Sequence, residues 1–278
     1  MPELPDLHIF TRNLHARLAG RTVRRVRLWR ARRRNFTNKA IADALEGRIL
    51  TAIHREGKEA LFTFDNGRRL SMHLMVSGRF DLVPDPIAIE FARLGIQFNA
   101  VAADAGFARQ GNGFDSAAAE WLVVSDPDGW APFRLDPKPS AAPDALAPEF
   151  TPDYLRATLC ANPGLAVKSF LCDQRLVRGI GNAYADEILW AARIAPQSLC
   201  DRLPDVQALE LHGAIRVVLT DAIAQINRLA PDAINGELRD FFKIHHPDRT
   251  HSPTGRPIRC ETVGLKKTYF SDEQVTFL

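Results

Sequence analysis

The sequence predicts an α+β chain, with an N-terminal helix leading into an antiparallel β-sandwich, then a helical domain that closes on a small β-hairpin. Three observations carry this. Leu7, Phe10, Leu14 and Leu18 recur at helical spacing near the start; period-two apolar segments parted by turn residues fill the positions up to about 135; and helical spacing returns after residue 150.

The first helix has Pro5 in its opening turn and Gly20 as a left-handed stop. Strands follow at Val23, Val26 and Leu28, at Ile49, Thr51 and Ile53, and at Ala60, Phe62 and Phe64, each read as an inward-facing set. Asp65-Asn66-Gly67 marks a tight hairpin into Leu70, Met72 and Leu74. Shorter strands are expected over 80–82, 96–100 and 121–125, with a Gly-Asn-Gly turn at 111–113. Residues 1–135 thus form one domain, and the Pro-, Ala- and Asp-rich stretch 136–150 is a linker. Thr151-Pro152-Asp153 supplies an N-cap, a first-turn proline and an acid, opening a helical domain over 151–240. Its long helix, with Leu211, Ile215, Val218 and Ala222 on one face, ends before Pro231, and residues 241–278 regain strand and turn composition.

With 278 residues, 46% of them hydrophobic, the chain can bury two cores. No apolar run is long enough to span a membrane and no basic, apolar leader opens the chain, so a cytoplasmic protein without membrane contact is expected. Cys160, Cys172, Cys200 and Cys260 stand singly, which argues against a disulfide framework and a thiolate metal site. The net charge of +3 is modest, but its distribution is not: Arg21, Arg24, Arg25, Arg27, Arg30, Arg32, Arg33 and Arg34 occur with no acid among them. Such a run suits either contact with a polyanion or a charge-protected strand edge.

Two segments carry chemistry. A proline in second position leaves a secondary amine once the initiator is trimmed, and a neutral amine near a helix N-terminus can form an iminium with an electrophilic sugar carbon. Glu3 places a carboxyl group beside it. Taken alone, such a start reads more readily as a disordered terminus. The second segment runs from Lys168 to Pro196. There one helix is expected to end at Gly179 and Asn182 to cap the next, with Gly179 and Gly181 letting backbone N–H groups approach a phosphate. The arrangement is helix-two-turns-helix, or by itself an ordinary helical corner.

Four ordered motifs give the chain a resemblance to the formamidopyrimidine-DNA glycosylase and endonuclease VIII family over nearly its whole length. They are Pro2-Glu3-Leu4-Pro5, the segment His54-Arg55-Glu56-Gly57-Lys58, the segment from His73 through Val76 to Gly78, and the block from Asp173 to Leu189 that contains Gly179-Ile180-Gly181-Asn182. The resemblance implies that Pro2 attacks C1′ of an extruded nucleoside, that Glu3 serves as acid and base, and that Lys58 reaches the flanking phosphates. It also implies that Lys168 and Asn182 hold phosphate, fixing register without reading sequence. β-Elimination and δ-elimination then nick the strand.

Departures from the family pattern are as informative. The stretch from His251 to Gln274 lacks the four cysteines of a zinc finger, so a zincless finger is expected, in which Lys266 or Lys267 takes the place of the family's groove arginine. His245, His246, His251 and Cys260 are the imaginable substitute ligands. Asp126-Pro127-Asp128-Gly129-Trp130 lacks the arginine that faces the orphaned base, leaving Trp130 and Val76 as wedges and implying weak dependence on the opposite base. Leu238 to His245 leaves no room for a loop over an oxidised purine. These features imply a glycosylase and AP lyase that needs no cofactor and no metal and works as a monomer on double-stranded DNA bearing damaged bases or abasic sites, in a bacterial cytoplasm at the nucleoid. The rival is a catalytically idle binder of damaged DNA; an RNA-binding protein would leave Pro2, Glu3 and Lys58 without a reason to coexist.

Overall fold

A computed structural model describes residues 1–100, 119–263 and 266–278; the turn expected at 111–113 lies outside them. Helix α1 (Leu4–Leu18) has Pro5 in its first turn, and the Glu3 N–H donates to Asp6 Oδ2 at 2.9 Å. It ends at Ala19, with Gly20 at φ +81°. Leu7, Phe10, Leu14 and Leu18 are buried, each contributing about 1.5–3 kcal/mol by leaving water.

The strands form two four-stranded sheets that enclose one core. β1 (Val23–Leu28) is the edge of the first, which runs β1, β6 (Ala92–Phe98), β7 (Glu120–Ser125) and β5 (Arg79–Val83). The second runs β2 (Leu50–Glu56), β3 (Glu59–Phe64), β4 (Arg69–His73) and β8 (Phe133–Leu135). Phe62 and Phe80 meet edge to face across the sandwich, 6.4 Å between centroids.

Bulges account for where strict alternation misled. The register shifts between Leu50 and Ala52, so Leu50 and Ile53 face the core while Ile49 and Thr51 are exposed, correcting the inward set expected there. A second shift between Val23 and Arg25 produces the odd spacing of Val23 and Val26. Strand β6 begins earlier than expected, and α2 (Asn38–Leu45) was not expected at all; its Ile41 and Leu45 are buried one turn apart and Thr37 Oγ1 caps Ala40 N at 3.1 Å.

The helical domain comprises α3 (Pro152–Cys160), α4 (Val167–Cys172), α5 (Asn182–Ala191) and α6 (Asp205–Leu229) around Phe170, Ile180, Tyr184, Ile188, Leu211 and Phe242. Thr151 caps α3 and α6 ends before Pro231. Helix α4, expected to reach Gly179, stops at Cys172 because side chains take over its next hydrogen bonds: Gln174 Nε2 donates to Cys172 O and Ile180 O, and Gln174 Oε1 accepts Gly179 N–H at 2.9 Å. Strands β9 (Ile258–Val263) and β10 (Lys266–Ser271) pair antiparallel as the terminal hairpin.

The segment 136–150 is strapped down. Asp144 accepts from Arg55 Nη2 at 2.9 Å and Gly57 N at 3.1 Å, while Ala145 N donates to Arg178 O at 2.9 Å. This ties the β2–β3 turn, which carries Lys58, to the turn before α5.

Candidate active site and nucleic-acid interface

Glu3 is where the two domains meet. Its carboxylate accepts the N–H groups of Gly181 at 2.6 Å, Ala183 at 3.0 Å and Tyr184 at 3.4 Å, so it caps α5 from the far end of the chain. Asn182 was expected to do this; it is instead the first residue of α5, behind Gly181 in the cap position, and its Nδ2 donates to Lys267 O at 2.9 Å. The glycines of the turn also serve a different end. An added Cβ at Gly181 would lie 2.4 Å from Glu3 Cδ, and one at Gly179, φ +103°, would lie 2.5 Å from Leu4 Cδ1. They admit the chain's own N-terminus. Pro2 is thereby buried next to the N-terminal end of α1, with the Met1 ammonium paired to Glu237.

Lys58 is only 7% exposed, yet among the described residues no hydrogen bond or ion pair engages its Nζ. Burial pushes its ammonium below the usual lysine range, with the charge of Glu3 pulling the other way. A desolvated, unpartnered ammonium is costly unless an anion completes it. That removes the exposed-lysine alternative. Lys58, Ser71, His73, Arg134, Gln174 and Arg178 line a cavity of about 490 Å³. Burial, aided by Lys58, Arg134 and Arg33, pushes His73 down to about 4. The neutral ring accepts the Met75 N–H on Nδ1 at 2.9 Å, so Nε2 carries the hydrogen and can donate.

Val76 and Trp130 are exposed by 68% and 59% on two turns that are tied together: the single Ser77 hydroxyl hydrogen is shared between Asp126 Oδ1 at 2.6 Å and Asp128 Oδ2 at 2.8 Å. Two apolar tips on a braced rim suit insertion between stacked bases.

The finger docks on α5. Lys168 Nζ lies 2.7 Å from Asp186 Oδ1 and donates to Thr268 Oγ1 at 2.8 Å and Lys267 O at 3.2 Å, so this lysine is engaged by the protein itself. Lys266 and Lys267 are exposed on β10, and the charge of Lys266 is felt at Lys58. Among the described residues no three histidine, cysteine, aspartate or glutamate side chains are grouped to hold a metal. His245 instead pairs with Asp186 at 2.6 Å, and Cys260 stands opposite Tyr269 in the hairpin. The residues present therefore do not fit a structural zinc. The finger is tied to the end of α5 by Glu273, whose carboxylate collects Trp190 Nε1 (3.2 Å), Arg193 Nη1 (2.7 Å), Ser252 Oγ (2.8 Å), Thr254 Oγ1 (2.5 Å) and Ser271 Oγ (3.0 Å).

Residues 1–109 match the formamidopyrimidine-DNA glycosylase N-terminal domain and residues 141–230 the H2TH domain of the same family. The formamidopyrimidine-DNA glycosylase of Symbiobacterium thermophilum is 33% identical over 97% of this chain and 88% of its own, and that of a Nocardioides species 35% identical over 97% and 92%. The chain belongs to the formamidopyrimidine-DNA glycosylase family. Its fold agrees with solved members: a complex of Lactococcus lactis Fpg with abasic-site DNA has a TM-score of 0.80 at 22% identity, covering 98% of this chain and 99% of that one. MutM in complex with carbocyclic 8-oxo-G DNA has a TM-score of 0.82 at 23% identity, over the same shares.

Within this glycosylase family frame, the expected site residues fall into two groups. One holds Glu3, with Pro2 before it in the chain, against the start of α5 at Gly181 and Asn182; the other places Lys58 and His73 in one cavity, with Val76 and Trp130 exposed on the turns after β4 and β7. Sequence reasoning missed Asp6, Asp186, Glu187, Arg239 and Glu273. Arg239 reaches Asp6 Oδ1 at 2.8 Å and Oδ2 at 2.7 Å and packs over the Tyr184 ring; Glu187 accepts the N–H groups of Lys243, Ile244 and His245, each at 2.8 Å. Their partners lie far away in sequence, so no local spacing marks them.

Proposed function

We propose that this chain is a bifunctional DNA glycosylase and AP lyase of base-excision repair that works through its N-terminal proline. The observation that supports the reading is the junction of Glu3, next to Pro2 in the chain, with the Gly181–Tyr184 backbone, together with Lys58, a buried ammonium that feels the charge of Glu3 and has no hydrogen-bond or ion-pair partner among the described residues. Removal of Met1 frees the Pro2 secondary amine. That amine attacks C1′ of the extruded nucleoside; the C1′–N bond breaks, Glu3 delivers a proton as the sugar ring opens, and the iminium acidifies the adjacent C2′ proton for elimination. Lys58 and the Nε2–H of His73 hold flanking phosphates, and Lys266 or Lys267 enters the groove from the finger.

The substrate class follows from what covers the pocket. Residues 230–245 are pinned close to the body: Asn13 Nδ2 donates to Pro231 O and Ala233 O, Asn235 Nδ2 donates to Phe80 O at 2.9 Å, and Arg239 grips Asp6. That supports acceptance of smaller or non-planar bases, such as oxidised pyrimidines, ring-opened purines and hydantoins, along with abasic sites. The protein acts as a monomer on DNA of the nucleoid, and no helix among the described residues is long and apolar enough to cross a membrane. Borohydride reduction with abasic DNA tests the reading: a covalent adduct mapping to Pro2 is expected, and its absence alongside retained binding would identify a non-catalytic binder.

A further inference from the structure

The arginines between Arg21 and Arg34 are not equivalent. Arg21 is buried against Glu120, Nη1 to Oε2 at 3.0 Å, and Arg34 Nη1 donates to Ala31 O. Arg24, Arg25, Arg27, Arg30, Arg32 and Arg33 are intermediate or exposed, and among the described residues no carboxylate pairs with any of them. Protection of an open strand edge does not account for them, because the free side of β1 is already closed. Val23 N–H donates to Arg48 O and Gly47 N–H to Val23 O, each at 2.8 Å; Glu46 Oε1 accepts Val26 N–H at 2.9 Å, and α2 packs along the strand. A bulge adds Arg24 to the row, while Arg25 and Arg27, opposite Gln97 and Gly95, face away from the core side held by Val26 and Leu28. At its other end the row joins the rim. Trp29 N–H donates to Arg93 O at 3.0 Å, Arg93 Nη1 and Nε donate to Arg30 O at 3.4 Å and Asp126 O at 2.8 Å, and the Arg33 charge lies over the Trp130 ring.

We propose that this row is a track for the duplex flanking the lesion on one side, gripped through its phosphates. The proposal rests on the glycosylase reading above, which places the lesion at the rim. Six guanidiniums without counter-carboxylates repel one another, and a polyanion laid along them relieves that repulsion. Strand geometry spaces them for it. Alternate residues of a strand lie about 6.7 Å apart, so Arg25 and Arg27 keep step with two base-pair rises of about 3.4 Å each. β1 carries the row about 20 Å away from the rim, enough for about six base pairs beyond those the site itself covers. Contacts of this kind hold the duplex without reading its sequence. The polyanion reading of the arginine run therefore prevails over the strand-edge reading, and it assigns β1 a binding role separate from that of Glu3, Lys58 and the finger.

The test is equilibrium binding to a short duplex centred on a reduced abasic site, which the lyase cannot open, and to the same duplex lengthened by about 10 base pairs on one side or the other. Wild type is expected to gain about tenfold in affinity at low salt from lengthening on one side only. Arg24→Ala/Arg25→Ala, at two exposed residues without partners among the described residues, should lose most of that gain and lower the magnitude of the salt slope on the long duplex by about two units. Arg216→Ala/Arg228→Ala removes the same charge from the exposed face of α6 and should keep the gain. Equal gains on both sides, no gain on either, or a gain that the β1 and α6 variants keep or lose alike overturns the track. Borohydride trapping on the short duplex with an unreduced abasic site separates the failures. No adduct there sinks the lyase reading and, with it, the placement of the lesion; an adduct with a gain indifferent to Arg24 and Arg25 sinks the track alone.

Discussion

The Glu3 carboxylate takes the Gly181 N–H at 2.6 Å, and a Cβ at Gly181 would stand 2.4 Å from Glu3 Cδ. The first residues of the chain therefore complete the N-terminus of α5, and the Glu3 carboxyl is positioned by the helical domain.

Gly181→Ala should displace Glu3 and leave α5 partly uncapped, lowering stability by about 1–3 kcal/mol and base excision by a much larger factor. Glu3→Gln keeps one acceptor oxygen for the Gly181 and Tyr184 N–H groups but turns an NH2 toward Ala183 N–H, so it should lose about 1 kcal/mol of stability while losing excision. Thermal unfolding beside single-turnover assays separates the two; a Gly181→Ala protein with normal stability and activity would refute the cap.

Lys58→Met should abolish activity yet raise the stability of the DNA-free protein by about 1 kcal/mol, because it removes a desolvated ammonium. The folded pKa of Lys58 is lowered, so the unfolded chain binds more protons and the penalty fades as pH rises through that lowered pKa toward 10.5. The gap in Tm between variant and wild type should be widest near neutral pH and shrink in alkali. A destabilised Lys58→Met protein would show that an internal partner holds the ammonium.

Lys168→Ala removes the cation facing the buried Asp186 carboxylate, 2.7 Å away. Loss of about 3–5 kcal/mol is expected, with much of it recovered in Lys168→Met/Asp186→Asn, since the cost comes from an uncompensated charge. A Lys168→Ala protein that stays fully stable while its salt dependence of DNA binding drops by about one unit would return Lys168 to the role of phosphate contact.

Chelator should leave activity intact, because hydrogen bonds to Glu273 anchor the finger without a metal. Its burial opposes ionisation, but hydrogen bonds from Thr254, Ser252, Trp190 and Arg193 outweigh it and hold the carboxyl below its ordinary 4.5. With the folded pKa depressed, this stabilisation is complete above about pH 4.5 and is lost as pH falls below it. Glu273→Ala should loosen the finger at neutral pH and weaken DNA binding, and hydrogen exchange in β9 and β10 would register it. One zinc per chain by elemental analysis would contradict the scheme.

The sequence by itself determined what is local. Thr151-Pro152-Asp153 starts α3, Asp65-Asn66-Gly67 turns β3 into β4, and the apolar spacing of α1 and α6 gives their buried faces, since caps, turns and periodic burial depend on neighbours a few residues apart. The proposed catalytic pair, Pro2 and Glu3, could be named from the sequence because the two residues are adjacent. Tertiary structure decided the rest: that Glu3 rather than Asn182 caps α5, that Gly179 and Gly181 make room for the N-terminus, that bulges turn Leu50 and Ile53 inward, that the Arg33 charge lies over the Trp130 ring, and that Glu273 gathers five donors. Each of these joins residues far apart in the chain or depends on pairing between strands. A linear pattern shows that a carboxylate or a guanidinium is present; only packing, which forbids a buried charge or N–H from going unpartnered, selects its partner.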